Sequence, residues 1–156
     1  MLLCKEPSTL SARGSSIFRG DAAAHGPDFA VDGALVSGIT GMFISSNDPL
    51  EPFPWLEIRL SAPARVEGVK VTVRSDRATN RFKNVKVRAG REETTATDGM
   101  SRVTAGSLVG EYTGPAAQGA EVEITFTQAI TAEFIHISVE FGIGSEDFTE
   151  INEAII

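Results

Sequence analysis

Apolar and polar residues alternate with a period of two over much of the chain. Leu56, Ile58 and Leu60 stand between Trp55, Glu57 and Arg59; Val69, Val71 and Val73 stand between Lys70, Thr72 and Arg74; Val85, Val87 and Ala89 are separated by Lys86 and Arg88. The alternation returns in Val122, Ile124 and Phe126 against Glu121, Glu123 and Thr125, and in Ile135, Ile137, Val139 and Phe141 against Phe134, His136, Ser138 and Glu140. Successive side chains of a strand point to opposite faces, so each run predicts a strand with one face in a core and the other in water. Shorter runs at 15–18, 108–112 and 148–156 predict further strands. Roughly eight strands with turn residues between them, no helix and no internal repeat predict an all-β fold, a two-sheet sandwich or barrel.

Residues 1–13 lack this periodicity and read as a tail or an edge strand, with the domain expected over 14–156. The full 156 residues, 42% of them hydrophobic, suit one domain with a sizeable core and leave no room for a second. A net charge of -7 argues against a nucleic-acid partner, whose phosphates require a basic surface. The single cysteine, Cys4, rules out an intrachain disulfide. The opening residues 1–6 are too short and too soon charged for a signal peptide, no apolar run reaches membrane-spanning length, and no Asn-x-Ser/Thr acceptor is present.

No nucleophile elbow, phosphate loop, dinucleotide fingerprint or zinc-protease helix motif occurs, so no enzymatic constellation is expected. Glu92-Glu93 and Glu146-Asp147 are adjacent pairs whose side chains diverge, as surface charge does. His25 and His136 lie on separate segments and suit surface or hydrogen-bonded roles, not a transition-metal site. Trp55, the sole tryptophan, reads as a core or rim anchor, and Asp32-Gly33 reads as a turn whose aspartate either caps it or ligates a metal. Arg19-Gly20-Asp21 is the tripeptide that integrins read on mobile loops, and it also suits an ordinary turn. Residues 34–52 form a long Gly/Ser-rich loop of a length that usually carries function.

The densest chemistry is in residues 74–81, Arg-Ser-Asp-Arg-Ala-Thr-Asn-Arg, between two alternating runs. Guanidiniums with a carboxylate between them, held at a strand end, suit vicinal hydroxyls, a carboxylate or a phosphate. The same spacing also suits a solvated turn in which arginine and aspartate pair with each other.

Taken in order, Ser15-Ser16, Ala30-Val31-Asp32-Gly33, Pro54-Trp55, Arg74-Ser75-Asp76 with Arg81, and Ile151-Asn152-Glu153 resemble the F-type lectin (fucolectin) family. That family is a branch of the discoidin-like domains that include the coagulation factor V/VIII C domains. The resemblance implies an eight-stranded jelly-roll sandwich binding L-fucose or a related glycan among loops at one end. It implies that Arg74 and Arg81 donate to the sugar and that Asp76 steadies an arginine. The family's histidine partner is replaced in the region of Ser45 to Pro49, where Asn47 or Asp48 is expected in its place. Arg77 and Ala78 stand where many members have a cysteine pair, so Phe43 or Phe53 is expected to supply the apolar platform.

The resemblance further implies a structural calcium ion held by Asp32 and Glu153, with the carbonyls of Phe29, Ala34 and Asn152. It implies an extracellular, non-catalytic lectin, oligomeric for avidity. The alternative is an adhesion module of the same fold whose ligand is a protein, an acidic polysaccharide or a phospholipid surface.

Overall fold

A computed structural model describes residues 10–46, 54–76, 80–91, 106–140 and 150–156, the last group without the side chains of Asn152 and Glu153. Among these residues are seven strands: β1 (Leu10–Gly14), β2 (Phe43–Ile44), β3 (Trp55–Val73), β4 (Val85–Gly90), β5 (Ser107–Tyr112), β6 (Glu121–Val139) and β7 (Glu150–Ile155). Every pairing is antiparallel, in the order β2-β7-β3-β6-β4-β5, with β1 also on β3.

The alternating runs at 56–60 and 69–73 are not two strands but one, and so are those at 122–126 and 135–139, each 19 residues long. The β3–β6 ladder slips between Arg59 and Ala64 and again between Val66 and Gly68. Pro63, which has no N–H to give a ladder, falls in the first slip. Gly68 follows the second, where an added Cβ would stand 2.9 Å from the Ile124 carbonyl oxygen. Irregularities of this kind bend a strand. The first part of β3 pairs with β1 and the last part with β7, and the inward faces of both parts meet in one core. Leu56, Ile58, Val87, Ile135 and Ile137 pack there with Val69, Val71, Val122, Ile124 and Ile151. The result is the expected all-β sandwich, with its two longest strands running through both layers.

The bend also brings the two ends of β3 together. Gly14 pairs with Leu56, and a Cβ on Gly14 would stand 2.5 Å from the Phe43 ring; Phe43 pairs with Ile151, and Ile151 with Val73. Phe43 is therefore fully buried in the core and unavailable as an apolar platform for a ligand, contrary to expectation.

The strand expected at 15–18 is absent, and the expectation of no helix fails nearby. Residues 18–20 and 27–31 form 3-10 turns, and Ala22–His25 is a single helical turn, α1. Local chemistry accounts for both: Asp21 Oδ1 accepts from the Ala24 N–H at 3.2 Å as an N-cap, and Pro27 opens the following turn. The Arg19-Gly20-Asp21 tripeptide thus forms the corner into α1. Arg19 has a left-handed backbone (φ 55°) and its guanidinium lies 5.0 Å from the Phe18 ring centroid.

On β3 and β6 the outward face is also covered. Trp55, Glu57, Phe134, His136 and Ser138 are buried, although alternation places them in water. Arg13, Glu57, His136 and Arg88 sit in one cross-strand row over β1, β3, β6 and β4. Arg13 Nη2 lies 2.5 Å from Glu57 Oε1, His136 Nδ1 lies 3.6 Å from Glu57 Oε2, and Trp55 covers the His136 ring at 5.1 Å. His25 is buried too, edge-on to Phe18 at 5.5 Å, so neither histidine has the surface role that was one expectation.

Burial pushes the Glu57 carboxyl up, but His136 and Arg13, by hydrogen bonding and charge together, outweigh it and hold the group at about 2 against an ordinary 4.5. A carboxylate with a depressed folded-state pKa stabilises the protein above its unfolded value and ceases to as pH falls through the folded one. Between pH 4.5 and about 2, urea denaturation should register a progressive loss of stability. Glu57 accounts for at most about 3 kcal/mol of that loss. Glu57→Gln should flatten this part of the profile, and an unchanged slope would show that the row is not linked to protons.

Candidate functional site

Arg74 follows β3 directly, and a bulge decides what it meets. Thr72 pairs with Glu153, yet Val73 pairs with Ile151, so β7 carries one extra residue at this point. The next step of the ladder sets Glu150 across from Arg74. Without the bulge it would be Ile151, because a one-residue slip turns every side chain to the other face. Arg74 Nη1 donates to Glu150 Oε1 at 2.5 Å, Nη2 donates to Asp76 Oδ2 at 2.7 Å, and Nε donates to Asp76 Oδ1. The fork to Asp76 is bidentate, the geometry that a planar guanidinium and a carboxylate make best. The Arg74 side chain is 3% exposed and that of Glu150 2%. Its bonds to Asp76 first, and then to Glu150, hold the Arg74 guanidinium more firmly protonated than an ordinary arginine, against the opposing effect of burial.

Arg81 returns to the same carboxylate, with Nη1 3.3 Å from Glu150 Oε1 and the side chain 24% exposed. The chain regains that position through Asn80, left-handed at φ 52°, a conformation asparagine tolerates. Phe82, buried beside the Tyr112 ring at 5.9 Å, fixes the next residue. The Arg74–Asp76 backbone is tied from two sides. Ser75 Oγ donates to the Val36 carbonyl at 3.1 Å, Gln118 Nε2 donates to the Ser75 carbonyl at 2.5 Å, and the Gly119 N–H donates to the Arg74 carbonyl at 2.8 Å.

The four groups carry two positive and two negative charges. Arg74 and Arg81 are expected from sequence to be equivalent donors with Asp76 behind them. The structure separates their positions: Arg74 is enclosed between two carboxylates, and Arg81 forms the half-exposed edge. The expected pairing of Arg74 with Asp76 is present, in a buried setting and not a solvated turn. Glu150 reads in sequence only as a polar residue between apolar neighbours of a closing strand. The bulge that turns it inward leaves no mark in the residue pattern.

Ser15 and Ser16 hold the described residues on either side of 47–53. Ser16 Oγ accepts from the Ser46 N–H at 2.8 Å and Ser15 Oγ from the Trp55 N–H at 3.1 Å, so one dipeptide holds both flanks of residues 47–53. Asn47, Asp48 and Phe53 themselves lie outside the described residues, as do Arg77, Ala78 and the pairs Glu92-Glu93 and Glu146-Asp147. Asp32 is exposed at the end of the second 3-10 turn, where its Oδ1 accepts from the Ala34 N–H at 2.8 Å. The turn carrying Phe29 packs on β7, the strand of Asn152 and Glu153, whose side chains are likewise outside the described residues. No cluster of three or more candidate metal-ligating side chains occurs among the described residues, and no helix there is long and apolar enough to cross a membrane.

A bent antiparallel sandwich with a polar cluster among loops at one end defines a discoidin-like domain. Residues 11–153 match the model of the F5/8 type C domain, and the chain belongs to that family. Among solved structures it is similar to a fucolectin from striped bass (Morone saxatilis) serum, with 17% identity and a TM-score of 0.77 over 96% of this chain and 46% of that one. It therefore spans about half the length of that protein. It is also similar to the family 32 carbohydrate-binding module of NanJ from C. perfringens, solved with galactose, with 20% identity and a TM-score of 0.71 over 96% and 93% of the two chains. A fucose-binding module of Streptococcus pneumoniae shares 20% identity, with a TM-score of 0.65 over 93% and 88%. A search of the curated proteins gave no match.

The two arginines differ in what their loss leaves behind. Arg74→Ala leaves the buried Glu150 with the 3.3 Å contact to Arg81 in place of its 2.5 Å bond to Arg74, and should cost about 3–5 kcal/mol in urea denaturation. Arg81→Ala removes a partly exposed side chain and leaves Glu150 paired with Arg74, so it should cost clearly less than Arg74→Ala. Equal losses would contradict the separation of a buried strut from an accessible edge.

Proposed function

We propose that this is a non-catalytic carbohydrate-binding domain that takes L-fucose or a related glycan among the loops at the Arg74–Arg81 end. The observation that carries this reading is Arg81, accessible and aimed by a buried Arg74–Asp76–Glu150 frame. Sugar sites are shallow, so donors are best oriented before the ligand arrives. The planar fork of Arg81 suits two neighbouring sugar oxygens, and Arg74 is its support. Likeness to a fucolectin, a fucose-binding module and a galactose-bound module supports the ligand class. An extracellular setting and multivalent display belong to the same reading, because single shallow sites bind weakly.

A second reading, the adhesion module, is favoured by Leu35 and Ile39, which are 64% and 40% exposed on the loop that meets Ser75 through Val36. Apolar side chains at a loop rim suit a lipid or protein surface. An integrin ligand in Arg19-Gly20-Asp21 would require Asp21 to leave the cap of α1. On a glycan array the protein should label fucosylated or galactosylated structures, with signal lost in the folded Arg81→Ala variant. No labelling of any glycan would reject the lectin and leave the adhesion module.

Structural calcium belongs to this proposal as well. Asp32 and Glu153 would hold it with the carbonyls of Phe29, Ala34 and Asn152, an all-oxygen set of the kind calcium takes. The packing of the Phe29 turn on β7 supports the fit. The ion would tie that turn to the last strand and so brace the loop end. Added calcium should raise the melting temperature of the wild type but not of Asp32→Ala, and equal shifts would eliminate the site.

A further inference from the structure

Arginine only donates, whereas each sugar hydroxyl both donates and accepts, so a site built on Arg81 needs an acceptor within reach. The carboxylates of the cluster are committed elsewhere. Glu150 is 2% exposed, and both oxygens of Asp76 already accept from Arg74. An exposed acceptor comes instead from the turn that crosses the arginine segment.

Residues 113–120 run along residues 73–84 and are laced to them. The Asn84 N–H donates to the Thr113 carbonyl at 3.0 Å, the Ala116 N–H to the Phe82 carbonyl at 2.9 Å, and the Gly119 N–H to the Arg74 carbonyl at 2.8 Å. One anchor thus lies on Arg74 and the other on the residue after Arg81. Between them the Ala120 N–H closes a turn on the Ala117 carbonyl at 3.1 Å, with Gln118 and Gly119 at its tip. Gly119 takes φ 66°, as the third residue of a type II turn does, and a Cβ there would lie 3.3 Å from the Ser75 Cβ. Gln118 is exposed but held. Its Nε2 donates to the Ser75 carbonyl at 2.5 Å. A carbonyl only accepts, so the amide nitrogen must face Ser75 and Oε1 must face away from it. That oxygen accepts no hydrogen bond from a described residue.

We propose that Gln118 determines specificity: its Oε1 accepts from a hydroxyl of the sugar whose neighbouring oxygens take the Arg81 fork. The inference rests on the glycan reading above and adds a second contact to it. Gln118 is two residues from Ala116, at most about 7 Å along the chain, so the acceptor stands roughly one sugar ring from the segment that carries Arg81. An amide already pinned by its donor loses little freedom when the ligand arrives. A group placed to meet a hydroxyl also disfavours the analogue that lacks it. The ligand class is therefore a neutral sugar with a free hydroxyl beside the pair that Arg81 holds.

The test uses methyl fucoside and methyl galactoside, with the monodeoxy analogues of each, followed by ligand-observed NMR on the whole chain. Wild type should bind at least one parent glycoside, and should bind one analogue about three- to tenfold more weakly for want of the hydroxyl that Oε1 meets. Gln118→Lys keeps a donor for the Ser75 carbonyl but has no acceptor. It should weaken the parent by a similar factor and lose nothing further with that analogue, so the two losses do not add. Parent binding unchanged in Gln118→Lys, or losses that add for every analogue, would overturn the role of Gln118 alone. Binding of neither parent by wild type would overturn the glycan reading itself. Should Gln118→Lys not fold, as its melting curve will show, the wild-type side chain decides: the NMR signals of the Gln118 amide group should shift on saturation with the glycoside, and unmoved signals overturn the proposal.

Discussion

Enclosing Arg74 between Asp76 and Glu150 is the constraint on which the loop end depends. A guanidinium removed from water is tolerated only when its donors and its charge are met. Asp76, two residues on in the same chain, can always reach it. Glu150 comes from the far end of the sequence and reaches it only because β7 bulges where it pairs with Thr72 and Val73. That one contact locks the last strand to the end of β3 and sets the carboxylate to which Arg81 returns. Strand register and site geometry are therefore the same fact seen from two sides.

The long bent strands make this possible. β3 and β6 each run through both layers and bend at their register slips, so a single core serves both halves. The bend carries the start of β3 back beside its end through Gly14, Phe43 and Ile151. Ser15 and Ser16, next along from Gly14, then hold Ser46 and Trp55. A scaffold with a fixed core thus fixes where the loops at this end leave and rejoin it.

The row of Arg13, Glu57, His136 and Arg88 shows the same physics elsewhere. Opposite charges on neighbouring strands face one another around the buried Glu57, which stays ionised because its partners outweigh its burial. In this row the charges join β1 to the sandwich, with no part in the loop-end cluster. Two charged networks in one small domain thus hold strands together, each with a buried carboxylate and a more exposed arginine at its edge.

Much of this was legible in the residues. Period-two alternation located every long strand, because side chains of a strand must alternate between core and water. The order of Ser15-Ser16, Asp32-Gly33, Pro54-Trp55 and Arg74 to Arg81 pointed to the family and to the part of the chain that carries the cluster. Alternation could not tell that the runs at 56–60 and 69–73 are one strand, since a bend at Pro63 and Gly68 looks like a turn. Nor could it tell that Glu57 and His136 are covered on their outward face, since period two reports which residues share a face and not what lies over it. Local capping at Asp21 and Pro27 overrode the apparent strand before α1. The roles of Arg74, Arg81 and Glu150 were beyond the sequence for a single reason. Which arginine is enclosed and which is exposed depends on a one-residue bulge in a distant strand, and only tertiary pairing sets the register that decides it.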